Sequence, residues 1–270
     1  MAFGMAGSGS RKAKGAGFLF AGALGLAALA LADTAAAQNL PPAISRDCQA
    51  QGTTTASESP LPNVAAALAR SKKIKILAIG ASASSGPGGA AKGGYHVLIR
   101  SMLQQMMKGL EVQIVSRGVS GELAENAAAR LKIEVGLNTP DLVLWQVGTN
   151  DALSFVPVER VEETVRGTVR WLKDHKTDVV VVGLQYVSEM ARDAHYQAIR
   201  VALRRIAQEE NVIIVRRYEA MEILDKARRA ESSGSVDEFD QTEAAYSCMA
   251  QYVARAISVA LFGRNLPPLP

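Results

Sequence analysis

Five short apolar runs, longer stretches of helical spacing between them and small-residue turns at the ends of the runs predict an α/β fold. The expected form is a three-layer α/β/α sandwich on a five-stranded parallel sheet in flavodoxin-like order. The runs are Ile74–Ile79, Val112–Val115, Leu142–Val147, Val179–Leu184 and Val212–Val215. Each is rich in β-branched residues, as strands buried on both faces are. Helical spacing covers about 95–107, 122–135, 158–174, 190–209, 218–230 and 243–261. The 270-residue chain is 48% hydrophobic with few aromatics, enough to bury an aliphatic core in one domain over residues 71–270. Trp145 and the helically spaced Met102, Met106 and Met107 read as packing residues.

Two segments precede that domain. Arg11, Lys12 and Lys14 lead an apolar run over residues 16–32, followed by Ala35, Ala36 and Ala37. This pattern predicts a signal peptide over residues 1–37, cut before Gln38, hence a periplasmic or secreted protein with no stable membrane insertion after cleavage. An uncleaved anchor is the alternative, since the run approaches spanning length. Residues 38–70 are rich in Pro, Ser, Thr, Ala and Gln and read as an extended N-terminal arm over the surface.

The net charge of +4 falls to +2 once three cations and Asp33 leave with residues 1–37, and no basic cluster interleaved with aromatics points to nucleic acid. The pairs Arg204-Arg205, Arg216-Arg217 and Arg228-Arg229 fall on different elements and read as solvated faces and strand ends rather than a polyanion groove. Cys48 and Cys248 are the two cysteines. In an oxidising compartment they are expected to pair and tie the arm to the last helix, the alternative being two separate thiols. They are too far from any histidine pair to suggest a zinc site.

In a doubly wound parallel sheet, ligands bind beyond the carboxyl ends of the strands. The segments there are GASASSG, RGVSG, VGTND, QYVSEMARDAH and RRYEAM. Ser82 stands two residues past Gly80, where a hydroxyl projects over the sheet edge and turn N–H groups can face a developing oxyanion. Gly118 follows the second strand with an unobstructed N–H, and Asn150 follows Gly148 with a carboxamide free to donate. A serine, a glycine N–H and an asparagine amide at the ends of adjacent strands form an acyl-transfer constellation. A nucleotide-binding turn is the weaker reading, for no G-x-G-x-x-G or acidic ribose contact follows the first strand. GPGGAAKGG, Gly86 to Gly94, reads as a flexible rim or a plain flexible loop.

With these residues the chain resembles the SGNH/GDSL hydrolase family from about residue 73 to 262. That family's blocks centre on GDS, a glycine after the second strand, GxND and a terminal DxxH. The resemblance implies Ser82 as nucleophile, with the Ser82 N–H, Gly118 and Asn150 as oxyanion hole. It implies ester hydrolysis of a small-molecule or glycan substrate with no metal or organic cofactor; the expected compartment, by itself, favours esters on glycans or envelope lipids. Ala81 replaces the usual Asp of the first block. In VDEFDQTEAAY, Asp237 matches the family's Asp while Asp240 stands at the position of its His. An aspartate's ordinary pKa makes it a poor base for an alcohol.

Of the three histidines, His175 ends a helix on the face opposite the site and reads as a helix-end or surface residue. His96 at the start of the first long helix and His195, with Asp193 and Tyr196 close by, are the substitutes, and His195 is the preferred base. Two functions follow: an exported serine ester hydrolase, or a non-catalytic relative that binds an envelope glycan or a partner. The sequence specifies no oligomeric state.

Overall fold

Strands β1 (Lys73–Gly80), β2 (Glu111–Gly118), β3 (Leu142–Gln146), β4 (Asp178–Val182) and β5 (Ile213–Val215) form one parallel sheet in the order β2-β1-β3-β4-β5. This is the flavodoxin-like order expected from the sequence. The structure, a computed structural model, describes residues 44–80, 94–106, 109–231 and 243–263. Ser82, the glycine-rich stretch to residue 93, Asp237 and Asp240 lie outside the described residues.

The helices are α1 (Pro62–Ser71), α2 (Gly94–Met106), α3 (Ala124–Asn138), the short α4 (Thr149–Leu153), α5 (Val158–Asp174), α6 (Ala194–Glu209), α7 (Arg217–Glu231) and α8 (Glu243–Phe262). Helix α2 packs on β2 and α8, and α8 on β5. On the other side α3 packs on β1 and α5, α5 on β4 and α6, and α6 on β5. Right-handed crossovers produce this division, because a chain that reverses its direction of travel after β2 must change faces.

Burial follows strand position. Every residue of β3, β4 and β5 is buried. The expectation of two buried faces fails for β2, where Glu111, Gln113 and Arg117 face water. It is an outer strand with a single neighbour, so half of its surface has nothing to pack against. Trp145 is fully buried inside β3, as a packing residue should be.

The N-terminal arm differs from the extended tether that its composition suggests. Residues 62–71 are helical, with Pro62 at the first position of α1 and Leu61, Val64 and Ala67 buried. Asp178, at the start of β4, holds that helix: its Oδ2 accepts from the N–H groups of Asn63 and Val64 at 2.9 Å each, and its Oδ1 from Asn63 Nδ2 at 2.7 Å. Just before α1, Ala56 bridges antiparallel to Val215, Ser57 N donates to Ile214 O at 2.9 Å and Arg216 N to Thr55 O at 2.8 Å. The arm thereby covers the open side of β5, an edge that would otherwise invite pairing with another chain.

Cys48 and Cys248 are joined in a disulfide across 200 residues of sequence, as the pairing argument expects. Both are buried, and Tyr252 OH donates to Cys48 O at 2.5 Å. Gln251 adds a second tie, its Oε1 accepting from Ser45 N at 2.7 Å. Among the described residues, no helix is long and apolar enough to cross a membrane. Closing so long a loop restricts the unfolded chain, and removing such a bridge typically costs about 2–5 kcal/mol. The double substitution Cys48→Ala/Cys248→Ala is therefore expected to lower the melting temperature by roughly 5–15 °C in scanning calorimetry. A fall below about 2 °C would mean that the Asp178 and β5 contacts hold the arm without the bridge.

Candidate active site

The carboxyl edge of the sheet is a straight line of paired residues. Gly118 is opposite Gly80, Gly80 opposite Gln146, Gln146 opposite Val182 and Val182 opposite Val215. Gly80 must be glycine, for its φ is +130° and a Cβ there would lie 2.2 Å from Gln146 O. The chain therefore leaves β1 pressed against β3, and Gly118 ends β2 immediately on the other side.

The residues after β3 are held by one packed turn and three side-chain hydrogen bonds. Gly148 turns the chain with φ +104°, and a Cβ on it would meet Leu184 and Leu203 at under 3 Å, so the turn is packed against the exit of β4 and against α6. Thr149 Oγ1 accepts from Gln185 N at 3.0 Å. Asn150 Nδ2 donates to Glu122 O at 2.9 Å, in the loop after β2. Asp151 Oδ1 accepts from Ala124 N, the first residue of α3, at 2.9 Å. Asp151 is 2% exposed, and its burial raises the carboxyl above its ordinary value against the lowering effect of the N–H donors of Ala124, Asp151 itself and Gly148.

This geometry orients the Asn150 carboxamide. One amide hydrogen is committed to Glu122 O, and a primary amide carries a second. Glu122 is itself fixed, because its carboxylate takes a two-point grip from Arg130 at 2.8 and 2.6 Å. Sequence reading singled out Asn150 but not its supports. Glu122 acts through a backbone carbonyl, which has no residue signature, although Asp151 directly after Asn150 was a visible signal. Beside the same helix start lies a cavity of about 380 Å³ walled by Leu123, Phe155, Val156 and Val161, with Asp151 among its lining.

The structure brings Gly118, Asn150 and His195 to one edge. His195 is in the first turn of α6, which follows β4, and its ring stacks on Phe155 with centroids 5.6 Å apart. Its Nε2 is buried without a hydrogen-bond partner among the described residues. Asp193, the expected companion, caps α6 instead, its Oδ1 accepting from Tyr196 N at 2.7 Å. His175 caps the end of α5, with Nδ1 2.8 Å from Trp171 O. That is the amino edge of the sheet, away from Asn150.

His96 in the first turn of α2 is 4% exposed and packs against the Tyr95 ring at 4.3 Å. Its Nε2 also lacks a partner among the described residues, and burial pushes its pKa down to about 4. It is neutral at pH 7.

The sequence profile of the Non-GDSL lipase-like family matches residues 47–261. An arylesterase from Vibrio mimicus is 28% identical over 111 residues, 41% of this chain and 54% of that protein, so the chain spans about half the length of the curated relative it matches. Axe2, an acetylxylan esterase from Geobacillus stearothermophilus, superposes with a TM-score of 0.55 at 20% identity over 68% of this chain and 94% of the other. LAE5, an alpha/beta hydrolase enzyme from a Lake Arreo metagenome, does so with 0.54 at 18% identity over 70% and 96%. At such identities the two structures speak to the fold alone.

The His96 pKa has a thermodynamic consequence. The unfolded chain takes up a proton near pH 6.5 that the fold excludes until about 4, so stability is intact above 6.5 and falls as pH drops through that window. Over the whole window the loss is about 3 kcal/mol. Urea unfolding from pH 7 to 4 should reveal it in the wild type, and His96→Leu should flatten that part of the profile. An unchanged slope in the variant would assign the acid loss to other groups.

Proposed function

The chain belongs to the Non-GDSL lipase-like family, within the SGNH/GDSL-like hydrolases, and from that premise we propose that it is an exported ester hydrolase working through a serine acyl-enzyme. Ser82 Oγ attacks the acyl carbon, and its proton passes to a base. The new oxyanion accepts from the Ser82 N–H, the Gly118 N–H and the second Nδ2 hydrogen of Asn150. The tetrahedral intermediate then expels the alcohol, which leaves with that proton, and water repeats the sequence on the acyl-enzyme. The observation that carries this reading is the bond from Asn150 to Glu122 O, which orients an amide in the turn after β3, the strand paired with β1; in the sequence Ser82 follows the end of β1 by two residues.

His195 is the base in this scheme, supported by its unpartnered Nε2 on the same edge. Asp240, with Asp237 before it, is the second choice. Substrates of the class named for the relatives, aryl and acetyl-glycan esters, suit the reading, and the cavity beside Asp151 offers apolar walls for one limb of a small ester. Export rests on the leader pattern of residues 1–37 and gains support from the buried disulfide, since such bridges persist in oxidising compartments.

Asp240 at the family's histidine position favours a second reading, a chain that keeps the pocket and binds an envelope glycan or partner without turnover. Hydrolysis of p-nitrophenyl acetate separates the two. On the enzyme reading Ser82→Ala abolishes the rate above background, Asn150→Ala lowers kcat by about 10²–10³-fold, and a fluorophosphonate label maps to Ser82. Equal background rates for the wild type and Ser82→Ala, with no label, would leave the binding reading.

A further inference from the structure

Arg204 on α6 and Arg216, just past β5, lie on different elements, yet both line one groove of about 510 Å³ that runs between α6 and the arm. A narrow notch shares Arg204, Ile214 and Arg216 with that groove and adds Arg200 and Glu219. By sequence these arginines fall on separate solvated elements, and the fold brings Arg204 and Arg216 to one groove.

Their charges are incompletely matched. Glu219 serves both Arg200 at 3.7 Å and Arg204 at 3.3 Å, one carboxylate for two guanidinium groups. Arg205 pairs with Glu162, and Glu58 lies exposed at the rim. The Nε atoms of Arg216 and Arg200 are buried with no hydrogen-bond partner among the described residues. Buried donors of this kind cost free energy unless an acceptor reaches them. The Arg216 backbone is fixed by its N–H bond to Thr55 O, and the Arg200 guanidinium lies 4.4 Å over the Tyr218 ring. Between the arginines the floor is apolar, with Ile214 buried and Val201 53% exposed, while Gln208 and Asn211 add neutral donors and acceptors.

We propose that this groove binds a ligand through an oxyanion, a carboxylate or a phosphate, gripped between Arg204 and Arg216. Guanidinium forks match the geometry of either group, and Glu219, shared between Arg200 and Arg204, leaves part of their positive charge for such an anion. The apolar floor and the amides suit a ring bearing hydroxyl groups beside the charge. The site is separate from Asn150, because β5 stands two strands from β3, roughly 10 Å across the sheet. It is independent of the ester-hydrolase reading.

Calorimetric titration of the purified disulfide-bonded protein at low salt tests it with three probes: trigalacturonate, inorganic phosphate and neutral xylotriose. Trigalacturonate or phosphate should bind, the stronger of the two identifying the oxyanion, with xylotriose at least about tenfold weaker. Arg216→Gln and, separately, Arg204→Gln should each weaken that binding by about tenfold or more, with melting temperatures close to the wild type. Should Arg216→Gln fail to fold, Arg204→Gln and a fall in wild-type affinity with added salt still decide the matter. No binding of either anion, equal binding of xylotriose, or affinities unmoved by the folded variants would overturn the proposal.

Discussion

The register that stops all five strands on one line is the constraint on which the rest of the molecule depends. Backbone pairing sets Gly118, Gly80, Gln146, Val182 and Val215 side by side, and the aliphatic burial of β3 and β4 fixes that register from both faces. A one-residue slip of β3 would turn its inward side chains to the opposite layer and lift the Gly148 turn off Leu184 and Leu203. It would also part Gly80 from Gln146 O, the contact that forbids any side chain at the exit of β1. The functional loops inherit their spacing from the sheet.

Two buried carboxylates convert that spacing into loop positions. Asp178 at the amino edge and Asp151 at the carboxyl edge each accept N–H groups at the start of a helix, α1 and α3 respectively. In both, burial raises the pKa and the N–H donors lower it, so the burial penalty is only partly offset. The arrangement persists because each aspartate joins segments far apart in sequence: the arm to β4, and the GTND turn to the loop after β2. Asn150 gains from the second link, since anchoring α3 at Ala124 holds Glu122, two residues earlier, at the distance its amide needs.

Much of the fold was legible because its signals are local. Runs of Val, Ile and Leu announced the strands, and the amphipathic spacing of α5 fixed Val158–Asp174 to the residue. Gly118 and Asn150 stood out because they follow such runs, and two cysteines in a chain with a leader pattern announced their bond. Helix α1 was hidden because the Pro, Ser and Thr around it outweighed VAAALAR, whose helicity depends on Asp178 more than a hundred residues away. The Arg204–Arg216 groove was hidden for the same reason: only the arm and α6, folded onto β5, make one surface of it. Glu122 contributes a carbonyl, a group that every residue possesses.

The histidines sharpen the chemical question. His96 is buried and neutral on the α2–α8 side, whereas His195 opens α6 in the opposite layer. In the family pattern the base arrives from just before the last helix, which here is α8 and follows Asp240. A base at His195 therefore approaches from the other side of the sheet, held by its stack on Phe155 but with no hydrogen-bond partner for Nε2 among the described residues, Asp193 being taken by Tyr196 N. Loss of orientation and loss of the oxyanion donors are separable defects. A preorganised oxyanion hole alone sustains roughly 10³–10⁴-fold catalysis over water when the nucleophile–base machinery is removed from serine hydrolases. On the serine-hydrolase reading, Asn150, braced by Glu122 and Arg130, belongs to the part of the apparatus that does not require a histidine at the position of Asp240.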